Sequence, residues 1–280
     1  MAQADLTNAP SSRTLDQFGQ TARKDAWWAG SLATGLGLGA FIVYSTFRAL
    51  YNAEYVVGEG TSVLPQHAHL LSPFYSPLLT NLIPEGMSWL SPAFLILWAP
   101  GGFRLTCYYY RKAYYRAFFL DPAGCAVGEP EGLCGFKRGR EYKGETRMLI
   151  FQNLHRYFLY VALAFIVLLY ADVIFSCTWP TKEGGHRFSI SIGSLVLFTT
   201  TTLLALYTFS CHSLRHLVGG KLNCFPDTPA GNLRHGLWRI VSALNKNHML
   251  FAWLSLFMVG FADFYVWMVA RETVIDKALW

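Results

Sequence analysis

Five stretches of this chain stay apolar for about the length that crosses a lipid bilayer, and this constrains the fold more than any other feature. They cover about residues 29–50, 88–109, 155–176, 191–212 and 248–270. A helix rises ~1.5 Å per residue, so ~20 residues span the ~30 Å hydrocarbon layer. Charge is scarce enough to agree, with Asp, Glu, Lys and Arg making up 14% of the 280 residues, against about a quarter in soluble domains. The expected fold is all-α: an integral membrane bundle of five transmembrane helices over residues 29–270. A polar segment, 1–28, precedes it and a short tail, 271–280, follows. Residues 1–25 are too polar to be a removable signal peptide.

Lys and Arg set the orientation. Arg111, Lys112, Arg116, Lys137, Arg138, Arg140, Lys143 and Arg147 lie between the second and third stretches, and Arg215, Lys221, Arg234, Arg239 and Lys246 between the fourth and fifth. The intervening loops on the other side hold only Arg48, Lys182 and Arg187. The positive-inside rule then puts the N-terminus in the cytoplasm and the C-terminal tail outside. The net charge of +6 resides in loops of one face, which is a membrane pattern and not a nucleic-acid one. The implied location is a membrane, crossed several times. Pro100-Gly101-Gly102 interrupts the second stretch and predicts a kink. Four prolines in 51–87 predict an irregular outer loop with short surface helices, and residues 232–246 predict an interfacial helix. No internal repeat is evident.

With alternating helix directions, Cys107, His155, Cys211 and His248 fall at one depth, each on a different helix near the cytoplasmic boundary. Thiols and imidazoles are costly in hydrocarbon unless paired or metal-bound. Two Cys and two His form the ligand set of a Rieske-type [2Fe–2S] cluster, although the soluble Rieske pattern of paired loops is absent. Other readings stay open. Two histidines from different helices can clamp a haem b. His212 and His216, four residues apart, share a helical face and are alternate ligands. On its own, any one of the four is better read as a small apolar filler or an interfacial hydrogen bonder, but four at one depth favour a shared centre. Arg104, one turn before Cys107, adds positive charge on the same face. Tyr108, Tyr109 and Tyr110 fit an interfacial aromatic belt. Asp172 and Asp263 lie towards the far ends of their helices, as proton-path groups or as partners of Arg48 or Arg271.

The segments CYYYRKAYYRAFF (107–119), GETRMLIFQNLHRYF (144–158), SCHSLRHLVGGKL (210–222) and NKNHMLFAWL (245–254) resemble the membrane-anchor subunit of type-F succinate dehydrogenases, the respiratory complex II of mycobacteria and other bacteria. The resemblance runs from about residue 88 to 270. It implies a five-helix anchor carrying a flavoprotein subunit and an iron–sulfur subunit on its cytoplasmic face, with a possible higher oligomer of the complex. It also implies a membrane-embedded Rieske-type [2Fe–2S] cluster on Cys107, His155, Cys211 and His248, with quinone reduced nearby. Arg104, Tyr109 and Arg156 are the candidate quinone contacts. The chain carries no G-x-G-x-x-G fingerprint and no Cys-rich ferredoxin run, so succinate oxidation would belong to its partners. A haem b anchor is the alternative within this class. A cofactor-free transporter or scaffold is the alternative from another.

Overall fold

The computed structural model describes residues 18–58, 68–84, 90–120, 123–128, 148–180, 186–220, 224–225 and 230–279. It is mostly helical, with two short antiparallel hairpins. The chain divides into two compact units, residues 1–39 with 108–145 and residues 40–107 with 146–280.

Helix α1 covers Ala29–Tyr51 and runs from the first unit into the second. The first unit also holds α3, Tyr108–Tyr114, followed by a π-helical turn that stops at Leu120, whose φ of 54° is left-handed. Its two sequence halves meet through backbone bonds between Gly19 N–H and the Gly128 carbonyl (3.0 Å) and between Gly128 N–H and the Gln20 carbonyl (2.9 Å). The Thr21 hydroxyl donates to the Ala126 carbonyl at 2.7 Å. Arg23 Nε donates to Asp25 at 2.8 Å, which holds the Asp25 carboxyl below its ordinary pKa.

The second unit contains α2 (Pro92–Thr106), α4 (Met148–Ser176), α5 (Ile192–Phe209), α6 (His212–Gly219), α7 (Gly231–Asn245) and α8 (His248–Ala270). Helix α5 packs on α4 and α8, and α2 packs on α4. Local sequence sets their starts. Ser91 caps α2 by accepting from Ala93 N–H, with Pro92 in the first turn where its missing donor costs nothing. Ser191 and Ser194 form a reciprocal capping box at α5. The hairpin β1–β2 (Val56–Gly58, Ala68–Leu71) and two 3₁₀ turns, Pro73–Tyr75 and Thr80–Leu82, occupy the described part of the loop expected to be irregular. A second hairpin, β3–β4 (Thr178–Pro180, His186–Phe188), joins α4 to α5. Helix α7 matches the expected interfacial helix to within a residue.

Among the described residues four helices are long and apolar enough to cross a membrane: Ala29–Tyr51, Asn153–Ser176, Ile192–Phe209 and His248–Ala270. The second expected span, 88–109, differs. Residues 88 and 89 lie outside the described residues, and α2 has 15 residues, about 22 Å at ~1.5 Å each. It ends early because Cys107 turns extended, at φ −62° and ψ 130°. Helix α2 continues through Pro100-Gly101-Gly102. Gly102 is needed for packing, since a Cβ there would lie 2.3 Å from the Phe158 ring on α4.

Apolar packing fills the unit around these helices. Ala49, Leu71, Phe74, Tyr75, Leu78, Ala93 and Val259 form one buried cluster, and Leu70, Val173, Leu197, Ala262, Val266 and Val269 form another. Within them lies a charged pair. Arg48 and Asp263 are both fully buried, with Arg48 Nε 2.8 Å from the carboxylate. Asp263 also accepts from the Tyr44 hydroxyl (2.6 Å) and from the Ser72 hydroxyl.

Candidate metal centre

Helices α2 and α5 each end at a cysteine, while α4 and α8 have their histidines near their starts. Four chain directions therefore converge at one end of this bundle. Cys107 and Cys211 interrupt the chain in nearly the same way. Each is extended, at φ −62°, ψ 130° and φ −64°, ψ 137°. Each donates its N–H to the carbonyl three residues earlier, Arg104 at 3.1 Å and Thr208 at 3.2 Å. The break frees each thiol from the helical cylinder and points it across the bundle.

Each thiol meets a histidine from another helix. His155 Nε2 is 3.1 Å from Cys211 Sγ, and His248 Nε2 is 3.5 Å from Cys107 Sγ. Cys107, Cys211 and His155 are buried, and His248 is half-buried. The far nitrogens are held as well. His155 Nδ1 is 2.9 Å from Thr106 Oγ1, and His248 Nδ1 is 2.7 Å from Ser210 Oγ. Aromatic rings cover the imidazoles. Phe103 stacks on His155 at 4.6 Å between centroids, and Tyr207 stacks on His248 at 5.0 Å. Arg104 lies over the Tyr207 ring at 4.8 Å, donating to the Ala252 carbonyl (3.1 Å) and to Ser255 Oγ (2.9 Å).

Comparison with known families identifies the chain's relatives. Residues 29–272 match the model of the actinobacterial succinate dehydrogenase subunit SdhC. The chain belongs to the actinobacterial succinate dehydrogenase subunit SdhC family. A chain of the Mycobacterium smegmatis Sdh1 complex, solved in the apo form, is 39% identical and superposes with a TM-score of 0.76, over 93% of this chain and 94% of that one. No curated protein matches the chain. This SdhC-family chain is thus a multi-pass membrane subunit of a succinate dehydrogenase, respiratory complex II, as the segments at 107–119, 144–158, 210–222 and 245–254 suggested.

The four predicted ligands of the SdhC-family chain come together as two mixed pairs. Among the described residues, no three His, Cys, Asp or Glu side chains gather where they could hold one metal ion. A two-iron cluster draws two protein ligands to each iron. Cys107, His155, Cys211 and His248 are the residues that would hold such a cluster.

The alternate candidates His212 and His216 lie beside each other. Cys211 precedes α6 and His212 opens it. His212 Nε2 is 3.1 Å from His216 Nε2 on the exposed face of α6. Burial, and then His216 and Arg215, lower the His212 pKa. Of the candidate quinone contacts, Arg104 lines an apolar cavity of about 170 Å³ that also touches Phe103, Tyr207 and Pro100. Tyr109 packs its ring against Tyr110 in the first unit, and Arg156 faces outward. Asp172 accepts from the Ser76 hydroxyl. Asp263 pairs with Arg48, one of the two partners named for it from sequence.

Thr106, Ser210, Phe103 and Tyr207 were not singled out in the sequence. They did leave a signal there. Phe-x-x-Thr-Cys at 103–107 and Tyr-x-x-Ser-Cys at 207–211 share one pattern, an aromatic four residues and a hydroxyl one residue before the cysteine.

Proposed function

We propose that this SdhC-family chain anchors a succinate dehydrogenase in the bacterial inner membrane and relays electrons from a partner iron–sulfur subunit to quinone. In this proposal Cys107, His155, Cys211 and His248 hold a Rieske-type [2Fe–2S] cluster. The observation that carries it is the pair of crossed Cys–His contacts at the adjoining ends of α2, α4, α5 and α8, at 3.1 and 3.5 Å. The donor chemistry suits the group, because thiolate and imidazole are the ligands that iron–sulfur centres take. When bound, the cluster would supply one-electron transfer.

The protein residues have their own tasks. The two thiols and two imidazoles bind. Phe103 and Tyr207 cover the imidazole faces and keep water from them. Arg104 supports the Tyr207 ring and presents a cationic donor to the apolar cavity, where a quinone ring could be admitted with a carbonyl towards it. The fifth span and the cytoplasmic N-terminus belong to the same proposal. So do the flavoprotein and iron–sulfur partners, for which the basic loops offer a docking surface.

The haem b alternative has less support. Each Nε2, the atom an iron porphyrin would need, faces a thiol, and each ring is stacked on an aromatic side chain. Low-temperature EPR and optical spectra of the intact complex separate the two. The expected result is a reduced-state signal of Rieske type that disappears in His155→Ala and His248→Ala. Those variants should also lose quinone reduction while the soluble partners still reduce artificial dyes. A haem α-band without the EPR signal would overturn the cluster.

A further inference from the structure

The two halves of the centre are laced together by hydroxyl groups. Thr106 precedes Cys107, yet its hydroxyl holds His155, whose other nitrogen faces Cys211. Ser210 precedes Cys211, yet its hydroxyl holds His248, whose other nitrogen faces Cys107. The pattern is reciprocal. Helices α2 and α5 both run towards the centre and α4 and α8 both run away from it, so the halves repeat in the same sense and are not inverted.

Proton bookkeeping settles the direction of each bond. Thr106 Oγ1 is 2.7 Å from the Gly102 carbonyl oxygen. A carbonyl carries no proton, so the hydroxyl must supply the one between them. A hydroxyl has a single proton, so Thr106 can only accept from His155. Ser210 Oγ lies 3.0 Å from the Tyr207 carbonyl oxygen and 2.7 Å from His248 Nδ1, and the same count has it donate to the carbonyl and accept from the imidazole. Each imidazole then carries its proton on Nδ1. Each Nε2 keeps a bare lone pair, directed at a cysteine sulfur.

We propose that Thr106 and Ser210 are reciprocal positioning residues. The hydroxyl before each cysteine accepts the Nδ1–H of the histidine facing the other cysteine, which makes Nε2 of both His155 and His248 the ligating nitrogen. This deepens the proposed function and rests on the cluster being present. A hydrogen bond on the far nitrogen of a ligating histidine fixes its tautomer and raises its basicity. Removing the acceptor weakens the imidazole as a donor to oxidised iron and moves the reduction potential upward.

The test uses the intact complex. Histidine labelled with ¹⁵N at either Nδ1 or Nε2 is incorporated, and pulsed EPR reads which label couples strongly to the reduced cluster. Strong coupling from Nε2 is expected, and strong coupling from Nδ1 would overturn the assignment. EPR-monitored redox titration then compares Thr106→Val and Ser210→Ala with the conservative Thr106→Ser and Ser210→Thr. The first two should shift the midpoint upward on the order of tenfold in the redox equilibrium, about 59 mV for one electron, or lose the signal with unchanged melting. The conservative variants should keep the wild-type midpoint. No shift in any variant, or an equal loss in Thr106→Ser and Thr106→Val, would show that the hydroxyls do not act this way. A wild-type complex without the signal removes the cluster and this inference together. A wild-type signal with all variants at the wild-type midpoint removes only the inference.

Discussion

Replacing Arg48 by methionine should destabilise the second unit by about 3–5 kcal/mol, the usual cost of stranding one charge of a buried pair. Both side chains are fully buried, and Arg48 Nε lies 2.8 Å from the Asp263 carboxylate. At an effective dielectric of ~20 that separation corresponds to about 6 kcal/mol of gross attraction, which desolvation offsets in part. The Tyr44 and Ser72 hydroxyls still serve the carboxylate after the substitution, so the lower end, about 3 kcal/mol, is expected. This corresponds to roughly 6–12 °C in melting temperature. Thermal unfolding of the detergent-purified complex, followed by reaction of buried Cys107 and Cys211 with a maleimide dye, measures it; exposed Cys125 and Cys224 set the baseline. Adding Asp263→Asn removes the stranded charge while keeping an acceptor oxygen for one of the two hydroxyls, so the double variant should melt above Arg48→Met. A single variant that melts with wild type, or a double variant that melts lower still, would refute the ion-pair clamp. Asp263→Asn alone separates the clamp from a proton path. A clamp predicts lower melting with quinone reduction per folded enzyme intact, and a proton path predicts the reverse.

Three further outcomes can be checked. Gly102→Ala drives a methyl into the Phe158 ring and should cost about 1–3 kcal/mol by overpacking, with Phe158→Leu restoring most of it; an unchanged melting temperature argues against close α2–α4 packing. Arg104→Lys keeps the charge but loses the planar stack on Tyr207, so the quinone KM should rise roughly fivefold for about 1 kcal/mol, and an unchanged KM removes Arg104 from the quinone site. Asp25 should titrate below its ordinary value because Arg23 donates to it. A carboxyl whose folded pKa is depressed contributes stability above its unfolded pKa and loses it as pH falls through the folded one. Carboxyl labelling of Asp25 across acidic pH reads this directly, and protonation at or above the ordinary value contradicts the pair. As the pair is exposed, its effect on melting should be slight.

The long apolar runs located α1, α4, α5 and α8 because hydropathy is a sum along the chain and needs no knowledge of partners. The match at α8, His248–Ala270, reaches the residue. Charge asymmetry and span direction likewise brought Cys107, His155, Cys211 and His248 to one end, since alternating directions follow from counting crossings. The early end of α2 escaped because an extended residue at Cys107 has no composition signal. The second helical stretch after each cysteine continues the periodicity, and only the backbone shows the break.

Sequence alone determined that this chain lies in a membrane, which four Cys and His residues meet at one end of the bundle, and which family it resembles. Tertiary structure decided how those four pair. It also decided that Thr106 and Ser210 hold the histidines, that Asp263 is committed to Arg48, and that His212 turns to His216. The difference is physical. Burial in lipid selects residue types over ~20 positions at once and is recorded in each segment by itself. A hydrogen bond between Ser210 and His248, 38 positions apart, depends on two backbones meeting at ångström distance, and nothing local to either segment records that meeting.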